Sequence, residues 1–350
     1  MSSGAPDLPS LSVVIPTCNR PRFLGEALAS VAAQEHRPQE VIVVDDGEGG
    51  EGVSGERAPL PLRLIEGPRR GPGAARNAGV AAAGGDLIAF LDDDDLWRAE
   101  KLAWQVEWFA KRPRLGLLGT EVVRMPESAW TGPGSRRRPE RVRVVGRMAL
   151  VKANRFATST VVVRRECLEQ CGGFEDRLAL GQDWDMWLRI AERWEVAMLP
   201  AALTCYRLHD GQRSARSLKM RGWEVEVVRR AMARGPRCGR AQRVARRRLA
   251  WAHYRLGRAL LREGRRGAGV EALRASVHLD PLGALAWARL ARCWLSTRRG
   301  DPQRSLGLDG SWDAALHTLR RPRQAGYEGQ TAGGQAEGLP YAAGDASRRA

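Results

Sequence analysis

The stretch LIAFLDDDDLW (Leu87–Trp97) is an apolar run that stops at four consecutive aspartates, Asp92 to Asp95. A run of this length and composition predicts a buried β-strand. Such a strand places its carboxylates at the carboxyl edge of a sheet, where open α/β folds bind ligands. Four adjacent acids repel one another unless a cation or a basic partner lies among them. The stretch therefore indicates either a divalent metal that holds a diphosphate or a solvated acidic loop that caps a helix.

Three further strands and two helices are predicted before this run. Leu11–Ile15, Glu40–Val44 and Leu62–Ile65 are short apolar runs typical of strands. Helical patterns begin at Pro21 and within Gly71–Gly79. The order strand, helix, strand, strand, helix, strand favours an α/β fold with a mostly parallel sheet flanked by helices.

Polar residues follow the predicted strands. Thr17 and Asn19 come after the first strand, Asp45 and Asp46 after the second, and the aspartate run after the fourth. Because the carboxyl ends of parallel strands meet at one edge of a sheet, these groups form a nucleotide-binding edge in outline.

Four motifs in this order resemble those of family 2 glycosyltransferases. They are SVVIPTCNR at 12–20, VVDDG at 43–47, ARNAG at 75–79 and FLDDDDLW at 90–97, with a later match between 159 and 214. The resemblance implies a GT-A-type fold and inverting transfer of a sugar from a nucleotide-diphosphate sugar, with UDP- or dTDP-sugars favoured. The family's usual aromatic after Pro-Thr is Cys18 here, which leaves the nucleobase open.

The resemblance assigns roles to the donor-binding residues. Thr17 would line the nucleoside pocket, and Asp45 would accept a hydrogen bond from the base imide, which suits an ionised carboxylate. Arg76 would stabilise the pyrophosphate or contact the base, and Asn77 would orient that loop. The residues expected to bind the nucleotide sugar are Pro16, Thr17, Asn19, Asp45, Arg76, Asn77, Asp92 and Asp93.

The family's DXD pattern maps onto Asp92 and Asp94. Asp92 would meet the ribose or the metal, and Asp94 would hold the Mn²⁺ or Mg²⁺ that bridges both phosphates. Asp93 and Asp95 remain alternatives, because four identical residues cannot be ranked by type.

The segment GQDWDMWLRI (181–190) predicts a helix from its apolar spacing, and the matching family motif carries its general base at Asp183. Inversion needs one base that takes the proton of the acceptor hydroxyl, while the metal neutralises the departing diphosphate. A helix N-cap is the structural alternative for Asp183. Asp185 is the weaker candidate for the base.

The segment YRLHDGQRS (206–214) resembles one near the end of many of these catalytic domains. There a His or neighbouring cations approach the metal or the diphosphate. His209 is therefore a candidate metal ligand, with a hydrogen-bonded surface role as the alternative. Arg207 and Arg213 are candidate diphosphate clamps, because planar guanidinium groups match phosphate geometry.

The net charge of +17 is concentrated in one segment. Residues 216–300 hold 22 Lys and Arg against five acids, so the rest of the 350-residue chain is neutral. Within this segment Leu256-Gly257 recurs as Leu290-Ala291 after 34 residues, which resembles a tetratricopeptide repeat. The predicted organisation is a flexible N-terminus at 1–9, a catalytic domain at 10–215, a basic helical extension at 216–300 and a mostly disordered tail at 301–350.

The basic segment leaves three interpretations open: contact with anionic phospholipid, sequence-independent binding of nucleic acid, and Arg replacing Lys on solvated faces. Specific nucleic-acid binding is not expected, since no such motif is present. With no signal sequence and no apolar run long enough for a bilayer, we expect a cytoplasmic enzyme that is either soluble or peripheral at the inner face of the membrane.

The predicted function is metal-dependent transfer of single sugars to a glycan, a lipid-linked acceptor or another envelope precursor. The sequence lacks the Gln-x-x-Arg-Trp signature of processive synthases. The rival hypothesis is a scaffold protein with a degenerate transferase domain.

Overall fold

A computed structural model describes residues 8–47, 61–126, 137–208, 218–235 and 238–298. The described residues up to 296 belong to one compact unit. His209, Arg213, the tail at 301–350 and most of the predicted flexible N-terminus lie outside the described ranges. No helix within these ranges is both long and apolar enough to cross a bilayer.

One mixed sheet of nine strands forms the centre of the described chain. The strands are β1 (Leu11–Thr17), β2 (Glu40–Asp45), β3 (Leu62–Glu66), β4 (Leu87–Phe90), β5 (Leu96–Trp97), β6 (Leu115–Pro126), β7 (Arg143–Val144), β8 (Val162–Arg164) and β9 (Glu195–Leu208). Their order is β3-β2-β1-β4-β8-β6-β9-β5, and β7 pairs with β9. β3, β2, β1 and β4 are parallel, β8 runs antiparallel between β4 and β6, and β6 is parallel to β9. The predicted α/β fold is confirmed.

Alternate residues of the parallel strands enter two separate hydrophobic clusters. Val14, Ile42 and Phe90 belong to one cluster, whereas Val13 and Val41 belong to the other. Since side chains of a strand alternate between the two faces of a sheet, the sheet is covered on both faces. This explains why its central strands are continuous apolar runs rather than alternating ones.

Ten helices are described around the sheet. They are α1 (Pro21–Ala32), α2 (Pro72–Ala82), α3 (Lys101–Lys111), α4 (Arg147–Lys152), α5 (Arg165–Cys171), α6 (Gln182–Ile190), α7 (Leu218–Arg234), α8 (Gly239–Arg262), α9 (Arg266–Leu279) and α10 (Ala284–Arg298). α1 and α2 each begin with a proline, which has no N–H to satisfy and a φ suited to a first turn.

The sequence ATSTVVVRR (157–165) predicts a strand, and the structure confirms only the second half of it. Its first half forms a single 3-10 turn at Thr158–Thr160, and β8 begins at Val162. The Thr160 hydroxyl donates to the carbonyl of Ala157 at 2.7 Å, and the Ser159 hydroxyl donates to the Asp95 carboxylate. Ser and Thr side chains that bond locally in this way compete with the hydrogen bonds of a strand ladder.

Helices α7 and α8 contribute side chains to the hydrophobic core, and α9 packs against α8. Val227 and Val228 of α7 are fully buried in the same cluster as Phe90 and Trp187. α8 and α9 approach closely at glycines, since a Cβ on Gly257 would lie 2.9 Å from the carbonyl oxygen of Gly269. The resemblance of this region to a tetratricopeptide repeat stays a prediction.

Helix α2 lies so close to the sheet that only glycine fits at residue 79. A Cβ there would be 2.4 Å from Cγ1 of Val14. We expect Gly79→Ala to lower the free energy of unfolding by about 1–3 kcal/mol through overpacking. The matched control is Gly25→Ala in α1, where nothing lies within 4 Å and a gain of about 0.4–1 kcal/mol is expected. Urea denaturation measures both, and equal stability of Gly79→Ala and wild type would contradict the packing.

Candidate active site

A cavity of about 840 Å³ opens at the carboxyl ends of β1 and β4 and continues along β6. Asp46 and Pro72 line one end, and Thr120, Asn154 and Tyr206 lie elsewhere along its wall. The predicted site residues that line it are Pro16, Thr17, Arg76, Asp92, Asp93, Asp94 and Asp183. The fold therefore brings together most of the residues that the motifs single out.

Three carboxylates of the aspartate loop form ion pairs with two arginines. Arg76 Nη2 lies 2.5 Å from Asp92 Oδ1. Arg20 Nη1 lies 2.8 Å from Asp94 Oδ2 and 3.3 Å from Asp93 Oδ1. The side chains of Asp92 and Asp94 are 31% and 19% exposed, against 8% for Asp93. Asp92 and Asp94 are therefore the two carboxylates of the loop with most access to the cavity.

Asp93 and Asp95 are held inside the protein. The Thr17 hydroxyl donates to Asp93 Oδ2 at 2.8 Å, and the Ser159 hydroxyl donates to Asp95 Oδ2 at 2.5 Å. Burial raises the pKa of Asp93, and it raises that of Asp95 well above its usual range. Ser159 Oγ also accepts from the Asp92 backbone N–H at 3.1 Å. Asp95 thus fixes the loop from beneath rather than facing the cavity.

Arg207 does not face the cavity as a diphosphate clamp, contrary to its predicted role. Its side chain is 1% exposed and forms an ion pair with Glu26. Its Nε donates to the backbone carbonyl of Asp94 at 2.7 Å, and its backbone N–H donates to Asp95 at 3.3 Å. Arg207 therefore stabilises the backbone of the aspartate loop. The other predicted clamp, Arg213, lies outside the described residues.

Arg76 is the buried cation of the cavity wall, with 4% of its surface exposed. Only its Nη2 is hydrogen-bonded within the described residues, and its buried Nε and Nη1 have no partner there. An unpaired buried donor costs about 1–3 kcal/mol. The residue therefore suits an anionic ligand that would accept from these two nitrogens.

Asn77 supports this region from outside the cavity wall. Its side-chain amide donates to the Phe174 carbonyl at 2.8 Å, and its oxygen accepts from the Phe174 N–H at 2.7 Å. The Phe174 ring in turn lies 5.8 Å from the Arg76 guanidinium. Asn77 thus joins the loop Gly172-Gly173-Phe174 to the helix that carries Arg76.

Asn19 and Asp45 are likewise absent from the described cavity lining. Asp45 Oδ1 accepts from the Gly47 N–H at 3.0 Å, and Asn19 packs against Gly47. The neighbouring Asp46 does line the cavity, and it accepts from the N–H groups of Arg69 and Gly71. The expected base contact of Asp45 and the donor contacts of Asn19 and Asn77 stay predictions.

Asp183 lies half-buried in the cavity wall on the first turn of α6. The N-cap of this helix is Gly181, in the left-handed conformation at φ 79°, so the alternative of Asp183 as the cap is wrong. Burial raises the pKa of Asp183, while the Trp184 N–H, the charge of Arg76 and a hydrogen bond from Asn154 oppose this rise. Asn154 Nδ2 donates to Asp183 Oδ2 at 2.9 Å.

Asp185 is turned away from the cavity. It is 1% exposed and pairs with Arg189 at 2.9 Å and with Arg234 of α7 at 3.1 Å. A carboxylate held by two guanidinium groups is a poor proton acceptor. The geometry agrees with its rank as the weaker candidate.

Sequence reasoning did not assign roles to Arg20, Ser159 and Asn154. Arg20 had a visible signal, since it is the one cation in the polar loop after β1. Ser159 and Asn154 had none, because they meet Asp95 and Asp183 only through the tertiary fold, 64 and 29 residues away along the chain.

The carboxylates of the cavity suit a divalent cation only when a bound ligand supplies further oxygen atoms. No group of three or more His, Cys, Asp and Glu side chains in the described ranges could hold a metal ion by itself. Asp92 and Asp94 nevertheless offer hard oxygen donors at the cavity. Mg²⁺ is commonly bound by one or two carboxylates together with substrate phosphates. The residues therefore fit Mg²⁺ or Mn²⁺ when a diphosphate completes the coordination.

The cavity at the carboxyl ends of the strands contains two accessible aspartates, a buried arginine and a separate carboxylate. This combination is the kind of site that a glycosyltransferase needs. The model of the family described as "Glycosyl transferase family 2" matches residues 12–171. Glycosyltransferase YwdF of Bacillus subtilis is 32% identical over 206 residues, which cover 57% of this chain and 75% of YwdF. The chain belongs to glycosyltransferase family 2, and it is a glycosyltransferase.

Other relatives differ in how much of them is matched. A glycosyltransferase of Nostoc, alr2836, is 39% identical over 113 residues, which cover 31% of this chain but only 35% of that protein. The amylovoran biosynthesis glycosyltransferase AmsE of Erwinia amylovora is 27% identical over 235 residues, which cover 63% of this chain and 85% of AmsE.

Solved structures share the fold at low sequence identity. Residues 1–349 of Staphylococcus aureus TarS in complex with UDP-GlcNAc align with a TM-score of 0.62 at 19% identity, covering 86% of this chain and 95% of that one. The mannosyltransferase PcManGT of Pyrobaculum calidifontis in complex with GDP-Man and Mn²⁺ aligns with a TM-score of 0.56 at 24% identity, covering 90% and 87%.

Proposed function

We propose that this glycosyltransferase moves a single sugar from a nucleotide-diphosphate sugar to an acceptor hydroxyl, with inversion at the anomeric carbon. The observation that carries the proposal is the composition of one cavity wall. Two accessible carboxylates, Asp92 and Asp94, and the incompletely paired Arg76 share this cavity with Asp183. These groups match the needs of a diphosphate leaving group and a proton acceptor.

The donor diphosphate is bound by Arg76 and by the aspartate loop. The unpartnered Nε and Nη1 of Arg76 donate to phosphate oxygens. Asp92 and Asp94 would hold Mn²⁺ or Mg²⁺, which would supply positive charge for the diphosphate leaving group. The complexes of TarS with UDP-GlcNAc and of PcManGT with GDP-Man and Mn²⁺ support this class of donor and cofactor. UDP- and dTDP-sugars are the favoured donors.

Asp183 removes the proton of the acceptor hydroxyl as that oxygen attacks the anomeric carbon. The hydrogen bond from Asn154 orients the carboxylate and favours its ionised form, against the burial that raises the pKa of Asp183. The acceptor is a glycan, a lipid-linked sugar or another envelope precursor. The relationship to AmsE, an amylovoran biosynthesis glycosyltransferase, supports an acceptor of this class.

The metal assignment predicts nucleotide affinity that depends on a divalent cation. For wild type, UDP should bind much more tightly with Mn²⁺ than with a chelator, because the cation offsets repulsion between diphosphate and carboxylates. We expect Asp94→Ala to remove most of that difference in isothermal titration calorimetry.

Glu121→Gln is the matched control for the metal. Glu121 lines the same cavity but pairs with Arg143 at 2.6 Å, so this variant should keep the dependence on Mn²⁺. Equal affinity of wild type for UDP with and without the cation would contradict the metal site.

The base assignment predicts that Asp183→Asn folds and binds UDP normally but turns over its donor slowly. The amide keeps the size of the carboxylate but cannot accept a proton at neutral pH. Release of UDP from a UDP-sugar, with water as acceptor, should fall by a factor on the order of 10² or more. Wild-type turnover in this variant would remove Asp183 from the mechanism.

Asn154→Ala is the companion variant for this base, and its readout is the pH profile of kcat/KM. Activity requires ionised Asp183, so it is lost as the pH falls through the pKa of this group. The Asn154 hydrogen bond lowers that pKa, and its removal should move the acidic limb to higher pH. An unchanged profile would show that Asp183 does not control the limb.

A further inference from the structure

The solvent-facing side of α8 carries a continuous row of arginines around one exposed tryptophan. Trp251 is 44% exposed and stacks on Tyr254 with ring centroids 5.2 Å apart. The residues of this row recur three, four or seven positions apart, as on one helix face, and span about 33 Å at the α-helical rise. We call this row the α8 stripe; its exposed members are Arg240, Arg243, Arg247, Trp251 and Arg262, and the half-buried Arg258 lies over the Tyr254 ring.

The arginines of α8 fall into two groups with different surroundings. On the inner side, Arg248 and Arg255 pair with the buried Glu224 of α7 at 2.6 and 2.9 Å. In the described part of the chain, no ion pair involves an arginine of the α8 stripe. The arginines on the packed side of α8 therefore pair with a glutamate of α7. Those on the solvent-facing side form no ion pair with the described residues.

The inner side of α8 also contacts the segment that forms part of the cavity wall. Arg248 Nε donates to the carbonyl of Lys152 at 2.7 Å. Two residues further along, Asn154 hydrogen-bonds to Asp183, and both Asn154 and the exposed Arg155 line the cavity. α8 is thus fastened to the part of the cavity wall that carries the proposed base.

We propose that the α8 stripe docks the enzyme on an anionic phospholipid surface and brings the Asp183 side of the cavity to a membrane-held acceptor. The delivery of the cavity to an acceptor rests on the proposed function, whereas the docking on the membrane does not. Guanidinium groups bind lipid phosphates, and an indole among them lies at the level of the headgroups.

Nucleic acid is the competing partner for any basic surface. Binding of single strands commonly uses several aromatic side chains on which successive bases stack. The α8 stripe has one exposed aromatic, since Tyr254 is 6% exposed beneath Trp251. This single indole among arginines favours the membrane.

The test is flotation of the full-length protein with vesicles of phosphatidylcholine, with and without phosphatidylglycerol. Wild type should bind only the anionic vesicles and should be released at high salt. Each basic residue near an anionic surface is worth a factor of about 5, so Arg240→Gln, Arg243→Gln and Arg247→Gln together should weaken binding about 100-fold. Trp251→Ala alone should also weaken it.

The matched control removes three exposed arginines at the amino ends of the strands, the end of the sheet opposite the cavity. The three changes are Arg37→Gln, Arg114→Gln and Arg193→Gln. These residues precede β2, β6 and β9, and the loss of the same charge there should leave vesicle binding nearly intact. Equal loss in the two triple variants would overturn the α8 stripe as the docking surface. Equal binding of wild type to neutral and anionic vesicles would also overturn it. Tighter binding of wild type to duplex DNA than to anionic vesicles at physiological salt would do the same.

Donor turnover in solution separates the two proposals. The α8 triple variant should release UDP from a UDP-sugar at the wild-type rate, which also shows that it is folded. Vesicle binding without any donor turnover in wild type would contradict the proposed function and leave the docking standing. Turnover without vesicle binding in wild type would overturn the docking alone.

Discussion

The mutual repulsion of four adjacent carboxylates is the constraint on which the site depends. The fold resolves it by giving the aspartates unlike surroundings. Arg76 binds Asp92, Arg20 binds Asp94 and Asp93, and the Ser159 hydroxyl binds Asp95. Asp93 and Asp95 are buried, with raised pKa values, whereas Asp92 and Asp94 are the more exposed pair. The four adjacent aspartates thereby differ in burial and in their partners.

The positions of these partners follow from the packing of the sheet. Gly79 lets α2 lie against Val14 of β1, which brings Arg76, one turn earlier, beside the end of β4. On the other side, α7 buries Val227 and Val228 in the core, and its Arg234 holds Asp185. This ion pair occupies one of the two acids of α6 and leaves Asp183 as the acid at the cavity. The helices after residue 217 therefore take part in shaping the proposed active site.

Sequence reasoning predicted the sheet edge and its chemistry because both are local. Each central strand is an apolar run that ends in polar residues, and the motifs follow directly after the strands. Sequence reasoning could not decide which of Asp92 to Asp95 face the cavity, because their partners lie far away in the chain. Arg207, for example, donates to the carbonyl of Asp94 from 113 residues away. The same distance explains why Arg207 was assigned to the diphosphate. Its cationic type was visible, but its burial against Glu26 was not.

The central claim is that one carboxylate, Asp183, activates the acceptor while the aspartate loop binds the leaving group. In such a site the acceptor oxygen attacks the anomeric carbon of the donor directly, without a covalent glycosyl–enzyme intermediate. The configuration at that carbon must therefore be inverted. Proton NMR of early hydrolysis of an α-linked UDP-sugar, before mutarotation, tests this most directly. We expect the β-sugar to be released first. Initial release of the α-sugar would contradict it.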